Sequence, residues 1–144
     1  MRKRGWLVAA AMGAVLGSAA PASAELRVAA GAAAWLDVGP VFTATFAGDA
    51  RVLPHFEVGG RGGVGLLTPG PAKAMIPLDI QARLLISRIY IEGDVGPWLV
   101  IEDHPVHAHA TLGAGVEVGI LVAGLEVGWL DPEGILGVQV GLRF

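Results

Sequence analysis

The sequence predicts an all-β chain: an eight-stranded antiparallel up-and-down transmembrane β-barrel, following a cleaved helical signal peptide. Three observations predict it. Apolar residues alternate with small or polar ones through segment after segment, the period of an extended strand. The chain is 53% hydrophobic with a mean hydropathy of +0.61, yet beyond residue 24 no apolar run approaches the about 18 residues of a membrane helix. The polar face of the strands is rich in glycine and nearly free of lysine, unlike a solvated surface.

The first 24 residues have the three parts of a secretory leader. Arg2, Lys3 and Arg4 form a basic start, Trp6 to Leu16 an apolar stretch, and Ala22-Ser23-Ala24 a small-residue cleavage site. The apolar stretch is short for an anchor. We therefore expect a leader over 1–24 and one domain over 25–144, which fits a length of 144 residues. The absence of cysteine excludes disulfides, thiolate metal sites and lipid anchoring through an N-terminal cysteine.

Eight strands follow. Over 25–36, Leu26, Val28, Ala30 and Leu36 oppose Arg27, Gly31 and Ala33. A shorter strand near 40–47 sets Phe42, Ala44 and Phe46 against Thr43 and Thr45. Over 51–66, Val52, Phe56, Val58, Val64 and Leu66 oppose His55, Glu57, Arg61 and glycines. Over 74–86, Ile76, Leu78, Ile80 and Leu84 oppose Met75, Asp79, Gln81 and Arg83. Over 88–95, Ile89, Ile91 and Val95 oppose Arg88, Tyr90, Glu92 and Asp94. Over 107–120, Leu112, Val116 and Val118 oppose His107, His109, Thr111 and Glu117. Over 121–130, Leu125, Val127 and Trp129 oppose Gly124, Glu126 and Gly128. The last strand sets Leu136, Val138, Val140, Leu142 and Phe144 against Gly137, Gln139, Gly141 and Arg143.

The breaks fall on turn chemistry. Asp37-Val38-Gly39-Pro40, Ala47-Gly48-Asp49, Thr68-Pro69-Gly70-Pro71 and Asp131-Pro132-Glu133-Gly134 are the most marked, with lesser signals at Ser87, His104-Pro105 and Gly119. Gly96-Pro97 reads as a bulge, because proline cannot donate to a ladder; past it the facing of Trp98 and Val100 is open.

Alternation alone fits a soluble barrel with an apolar ligand cavity as well as a membrane barrel with the faces reversed. The polar face favours the second. Glycine is wasted on a solvated strand but useful inside an eight-stranded barrel, whose interior is only just wide enough for side chains. Strands of about 9–11 residues also suit a tilted bilayer crossing.

The chain closes on Gly141-Leu142-Arg143-Phe144, with an aromatic on the apolar face. This resembles the terminal signal of bacterial outer-membrane barrels, read by the barrel-assembly machinery. With the leader and eight strands, the chain resembles the small barrel family typified by the OmpA membrane domain, OmpX and opacity-type proteins. The resemblance implies the outer membrane of a Gram-negative bacterium, with lipid, lipopolysaccharide and the assembly machinery as partners and Phe144 as the assembly signal. The connections are shorter than the long outer loops common in that family. With the N-terminus on the periplasmic side, the outer loops lie near 37–40, 67–73, 102–106 and 131–134.

Without the leader, seven basic residues face thirteen acidic ones, a formal charge of −6 with histidine neutral. That balance argues against nucleic acid as a partner. The lumen-facing charges are Arg27, Arg61, Arg83 and Arg143 with Glu57, Asp79, Glu92, Glu117 and Glu126. They could gate an ion path. Eight strands leave little room for water, so a plug of paired charges is the expected arrangement. His107 and His109 share a face, and with His104 or Asp103 could hold a divalent metal, against the simpler reading of a polar rim. His55 is read as a lumen residue. The one serine after the leader, Ser87, is placed at an inner turn, far from the histidine cluster, which disfavours a serine hydrolase. The expected role is non-enzymatic, structural or envelope-interacting, with no cofactor. A narrow pore or metal-responsive barrel, and a soluble periplasmic barrel, are the alternatives. The residues do not fix an oligomeric state.

Overall fold

The alternating pattern closes on itself. A computed structural model describes residues 24–68, 70–101 and 106–144. In it the eight strands form a closed antiparallel barrel in sequence order. They are β1 (Ala24–Trp35), β2 (Gly39–Leu53), β3 (Phe56–Leu67), β4 (Lys73–Ile86), β5 (Ile89–Val100), β6 (Val106–Val118), β7 (Leu121–Leu130) and β8 (Glu133–Arg143). Closure runs through β1 and β8, from Arg27↔Arg143 to Trp35↔Ile135. It removes the sheet edges, which is what allows strands to sit in hydrocarbon. The leader assigned to residues 1–24 lies, except for Ala24, outside the described residues; Ala24 pairs with Ala50 at the start of β1.

The faces are those of a membrane barrel. Val64, Ile80, Leu125 and Val140 each stand more than 60% exposed on the outer wall. Among the described residues, no charged side chain lies on the outward face of a strand. Two-residue turns at 54–55, 87–88 and 119–120 share one end of the barrel with Ala24 and Phe144. The longer connections over 68–72 and 101–105 lie at the other end. Short periplasmic turns and longer outer loops are the rule in outer-membrane barrels, so these are termed the inner and outer ends.

Three local expectations are corrected. Ala47-Gly48-Asp49 is not a turn: β2 runs through it to Leu53, and the chain reverses at Pro54-His55. A Gly-Asp pair signals a turn locally, but here Gly48 pairs with Leu26 on one side and Gly60 on the other, and Asp49 points inward to Arg27. The shift moves His55 out of the lumen to an exposed turn position. At Gly96-Pro97 no residue is inserted: Pro77↔Trp98 and Ile80↔Val95 keep one register on either side. Trp98 and Val100 therefore point inward, and both are buried. Finally, the turn before β8 is only Asp131-Pro132, and Glu133 and Gly134 belong to the strand.

Candidate functional site: the barrel lumen

The lumen is filled in layers. At the outer end, Trp35 and Trp98 pack with Val41, Met75, Leu130 and Ile135 into a buried apolar cluster. The Trp35 indole donates to the Leu130 carbonyl oxygen at 2.8 Å, which ties β1 to β7 over the intervening β8. At the inner end a smaller cluster holds Leu85, Tyr90 and Val122.

Between them lies a connected set of charges. Arg61, on β3, reaches Asp79 at 2.9 Å, Glu126 at 3.4 Å and Asp94 at 3.7 Å. Asp79 also accepts from the Trp98 indole at 3.2 Å and lies 2.8 Å from His109 Nδ1. Gln81 donates to Asp94 at 2.8 Å and accepts from Arg27, which joins the Arg61 group to the next one. Arg27 holds Asp49 and Glu92, each at 2.9 Å. Arg83 lies 3.4 Å from Glu92 and 2.6 Å from Glu117. Its guanidinium also sits 3.8 Å from the centroid of the Tyr90 ring, a cation–π contact. Toward the inner mouth, Arg143 pairs with Glu117 and Glu25, and Arg51 with Glu57 and Glu25.

The pairing has a physical necessity. A lone charge in so dry a space carries a penalty of several kcal/mol per ion, which only close, multiple partners offset. Arg83, Glu57 and Glu92 are each about 1% exposed. The wall glycines supply the room. A side chain at Gly115 or Gly124 would run into Tyr90, and one at Gly137 would meet Glu126 Oε1 at 2.9 Å.

All nine charges expected in the lumen lie in it. Arg27 and Arg143 are directly opposed across the β1–β8 seam, and each turns to different acids. The sequence places Gln81, Asp94 and Gln139 on the polar face but not in the charge network, and Glu25, Asp49 and Arg51 in neither. Parity with Arg27 marks Glu25 for the same face. Asp49 was hidden by the turn assignment. The apolar outer layer was not foreseen, because its members are spread over seven strands.

Of the histidines, His107 and His109 share the inward face. His107 Nδ1 lies 2.7 Å from the Asp131 carbonyl oxygen, and the ring meets Trp35 edge-on. His109 is held by Asp79 and stacks 4.5 Å from Trp98. His104 and Asp103 lie outside the described residues, among which no three His, Asp or Glu side chains gather around a metal position. Ser87 and the displaced His55 line a common recess of about 250 Å³ at the inner mouth. No hydrogen bond joins them among the described residues. The positive φ of Ser87, 60°, belongs to a two-residue hairpin turn.

No protein-family model and no curated relative matches the chain. Solved structures do. A designed transmembrane β-barrel aligns with a TM-score of 0.64 at 14% identity, over 83% of this chain and 95% of its own. The N-terminal β-barrel domain of Pseudomonas aeruginosa OprF aligns at 0.59 and 12% identity, over 83% and 97%. The Yersinia pestis outer membrane protein Ail, in a phospholipid nanodisc, aligns at 0.55 and 13% identity, over 85% and 100%. The likeness is one of fold: the chain has the architecture of the small eight-stranded outer-membrane barrels.

Proposed function

We propose that this chain is a non-enzymatic outer-membrane barrel of a Gram-negative envelope, with a closed lumen and a structural or envelope-interaction role. The observation that carries this reading is the occupied lumen: a buried ion-pair network from Glu25 to Asp79, lying beneath a layer of packed tryptophans and aliphatics. A barrel filled this way holds its shape and passes little, since the buried charges at its centre, Arg27, Asp49, Glu57, Arg61, Asp79, Arg83, Glu92 and Asp94, are engaged by protein partners. The apolar outer wall supports lipid and lipopolysaccharide as surroundings, and the short loops leave little area for a protein receptor.

In the same reading, residues 1–24 are removed on export and Phe144 is the signal for the barrel-assembly machinery. The backbone of Phe144 joins the β1 ladder by exchanging hydrogen bonds with Leu26 at 2.8 and 3.2 Å, and its ring is 67% exposed on the lipid side. The position suits a residue read during insertion and left facing lipid.

Two measurements test the proposal. Washed outer membranes from cells expressing the full chain should contain a species lacking residues 1–24 that migrates differently unboiled and boiled. Planar bilayers holding the purified barrel should stay electrically silent. Recovery in the soluble periplasm would reverse the assigned faces, and steady unitary currents would replace the plug with a pore.

A further inference from the structure

The ion-pair network of the lumen divides at Gln81, and its two parts are balanced differently. On the inner side four arginines serve five carboxylates, and each of those carboxylates lies within 3.0 Å of a guanidinium nitrogen. On the outer side one arginine, Arg61, serves three: Asp79, Glu126 and Asp94. Arg61 commits Nε and Nη2 to Asp79 and Nη1 to Glu126. Asp94 is left 3.7 Å from Nη1, beyond hydrogen-bond reach. Among the described residues it is the one carboxylate of the network that no guanidinium hydrogen-bonds.

Asp94 is nonetheless only 4% exposed. Its close partner is a neutral amide: Gln81 Nε2 donates to Oδ1 at 2.8 Å. The charged and titratable groups around it are Arg61 from β3, Asp79 from β4, Glu92 from its own strand, His109 from β6 and Glu126 from β7. Glu92 is held by Arg27 and Arg83. The rest do not balance. Even with His109 protonated against Asp79, two cations face Asp79, Glu126 and Asp94. A buried carboxylate without a hydrogen-bonded cation is costly, and such a group sheds its charge by taking a proton. A metal ion would lack ligands here: among the described residues no three His, Asp or Glu side chains gather around one position.

The neighbouring strand offers an acceptor for that proton. Thr111 on β6 is directly paired with Asp94, and both side chains point inward. Side chains of such a pair stand about 5 Å apart at Cβ. Thr111 is buried, and its Oγ1 has no hydrogen-bond partner among the described residues. A protonated acid has one O–H to donate, and a threonine oxygen has lone pairs to accept it. We infer that Asp94 is a proton-binding site: the folded barrel buries it as the neutral acid, with Gln81 on Oδ1 and its hydroxyl directed to Thr111. The inference deepens the closed-lumen reading and rests on it, because a hydrated lumen would ionise Asp94. The proton lets three carboxylates share one guanidinium without drawing water in.

The test uses the full barrel folded in ester-free detergent micelles. At neutral pH its infrared spectrum should show the carbonyl stretch of a protonated carboxyl group. That band should be lost in Asp94→Asn and kept in Glu117→Gln, which alters a carboxylate already paired with two arginines. Labelling aspartate carboxyls with heavy carbon should shift the same band in the unaltered chain, so the readout does not depend on a variant that folds. Urea unfolding gives a second readout. The unfolded chain releases the proton at neutral pH, so stability falls as pH rises. The unfolding constant should climb about tenfold more per pH unit in the wild type than in Asp94→Asn. No acid band, a band that survives Asp94→Asn, or equal pH slopes would overturn the inference. Planar-bilayer recordings separate the two levels. A silent barrel without the acid band removes only the proton site, whereas one that conducts removes the closed lumen as well.

Discussion

The Tyr90 ring occupies the space left by Gly124: a methyl group on Gly124 would overlap the tyrosine hydroxyl, and the Arg83 guanidinium covers the ring face at 3.8 Å. Glycine on this wall is therefore a packing residue for an aromatic on another strand. Tyr90 is fully buried, so the overlap cannot be relieved by swinging the ring into water. Gly124→Ala should destabilise the barrel by about 1–3 kcal/mol, the usual consequence of overpacking. Urea unfolding in lipid vesicles measures this. Adding Tyr90→Phe should recover part of the loss, because the overlapping oxygen is then gone; no recovery would place the strain elsewhere.

Arg27 is the hub between the two halves of the charge network, holding Asp49 and Glu92 at 2.9 Å while only 6% exposed. Replacing it by methionine strands Asp49 in a dry lumen and leaves Glu92 with only Arg83 and Gln139. The expected cost is about 3–5 kcal/mol. Arg27→Met/Asp49→Asn should regain part of it, since the stranded charge is removed. A loss under 1 kcal/mol in the single variant, read from the same unfolding curves, would mean that the lumen is wetter than its packing indicates.

The outer wall gives a depth-dependent prediction. Val138 lies mid-strand on the outward face of β8, and Val118 at the inner end of β6. In a bilayer, Val138→Arg should cost about 2–4 kcal/mol and Val118→Arg about 0–1 kcal/mol. On a soluble barrel both substitutions would add a solvated charge at little cost. Folding free energies of the two variants in vesicles thus report directly on which face meets lipid.

The engaged rings of His107 and His109 set an expectation for metal. Each Nδ1 already has a partner, one a carbonyl and the other a carboxylate, and among the described residues no group of three His, Asp or Glu side chains forms around either ring. Zinc titration of the folded barrel should show weak binding that is the same in His107→Ala/His109→Ala. A clear loss of a stoichiometric site in that variant would restore the metal-responsive reading.

The sequence by itself determined the class of fold and which side chains face in. Period-two alternation is a local property, and every residue from Ala74 to Ile86 falls on the face its parity assigns. The nine charges expected in the lumen lie in it for the same reason. Local signals misled where a long-range partner outweighed them. Gly48-Asp49 has turn chemistry, but Arg27 on another strand holds Asp49 inside, so β2 continues and His55 becomes the turn. Pro97 suggests a bulge, but the ladders on both sides hold one register through it.

Only the tertiary structure decided who pairs with whom. Alternation places Arg61 in the lumen but cannot choose Asp79, Asp94 and Glu126 over other inward acids, because partner choice depends on strand stagger across a closed barrel. The apolar layer around Trp35 and Trp98 is likewise invisible along the chain. It is assembled from residues on seven strands that meet only once β1 closes on β8.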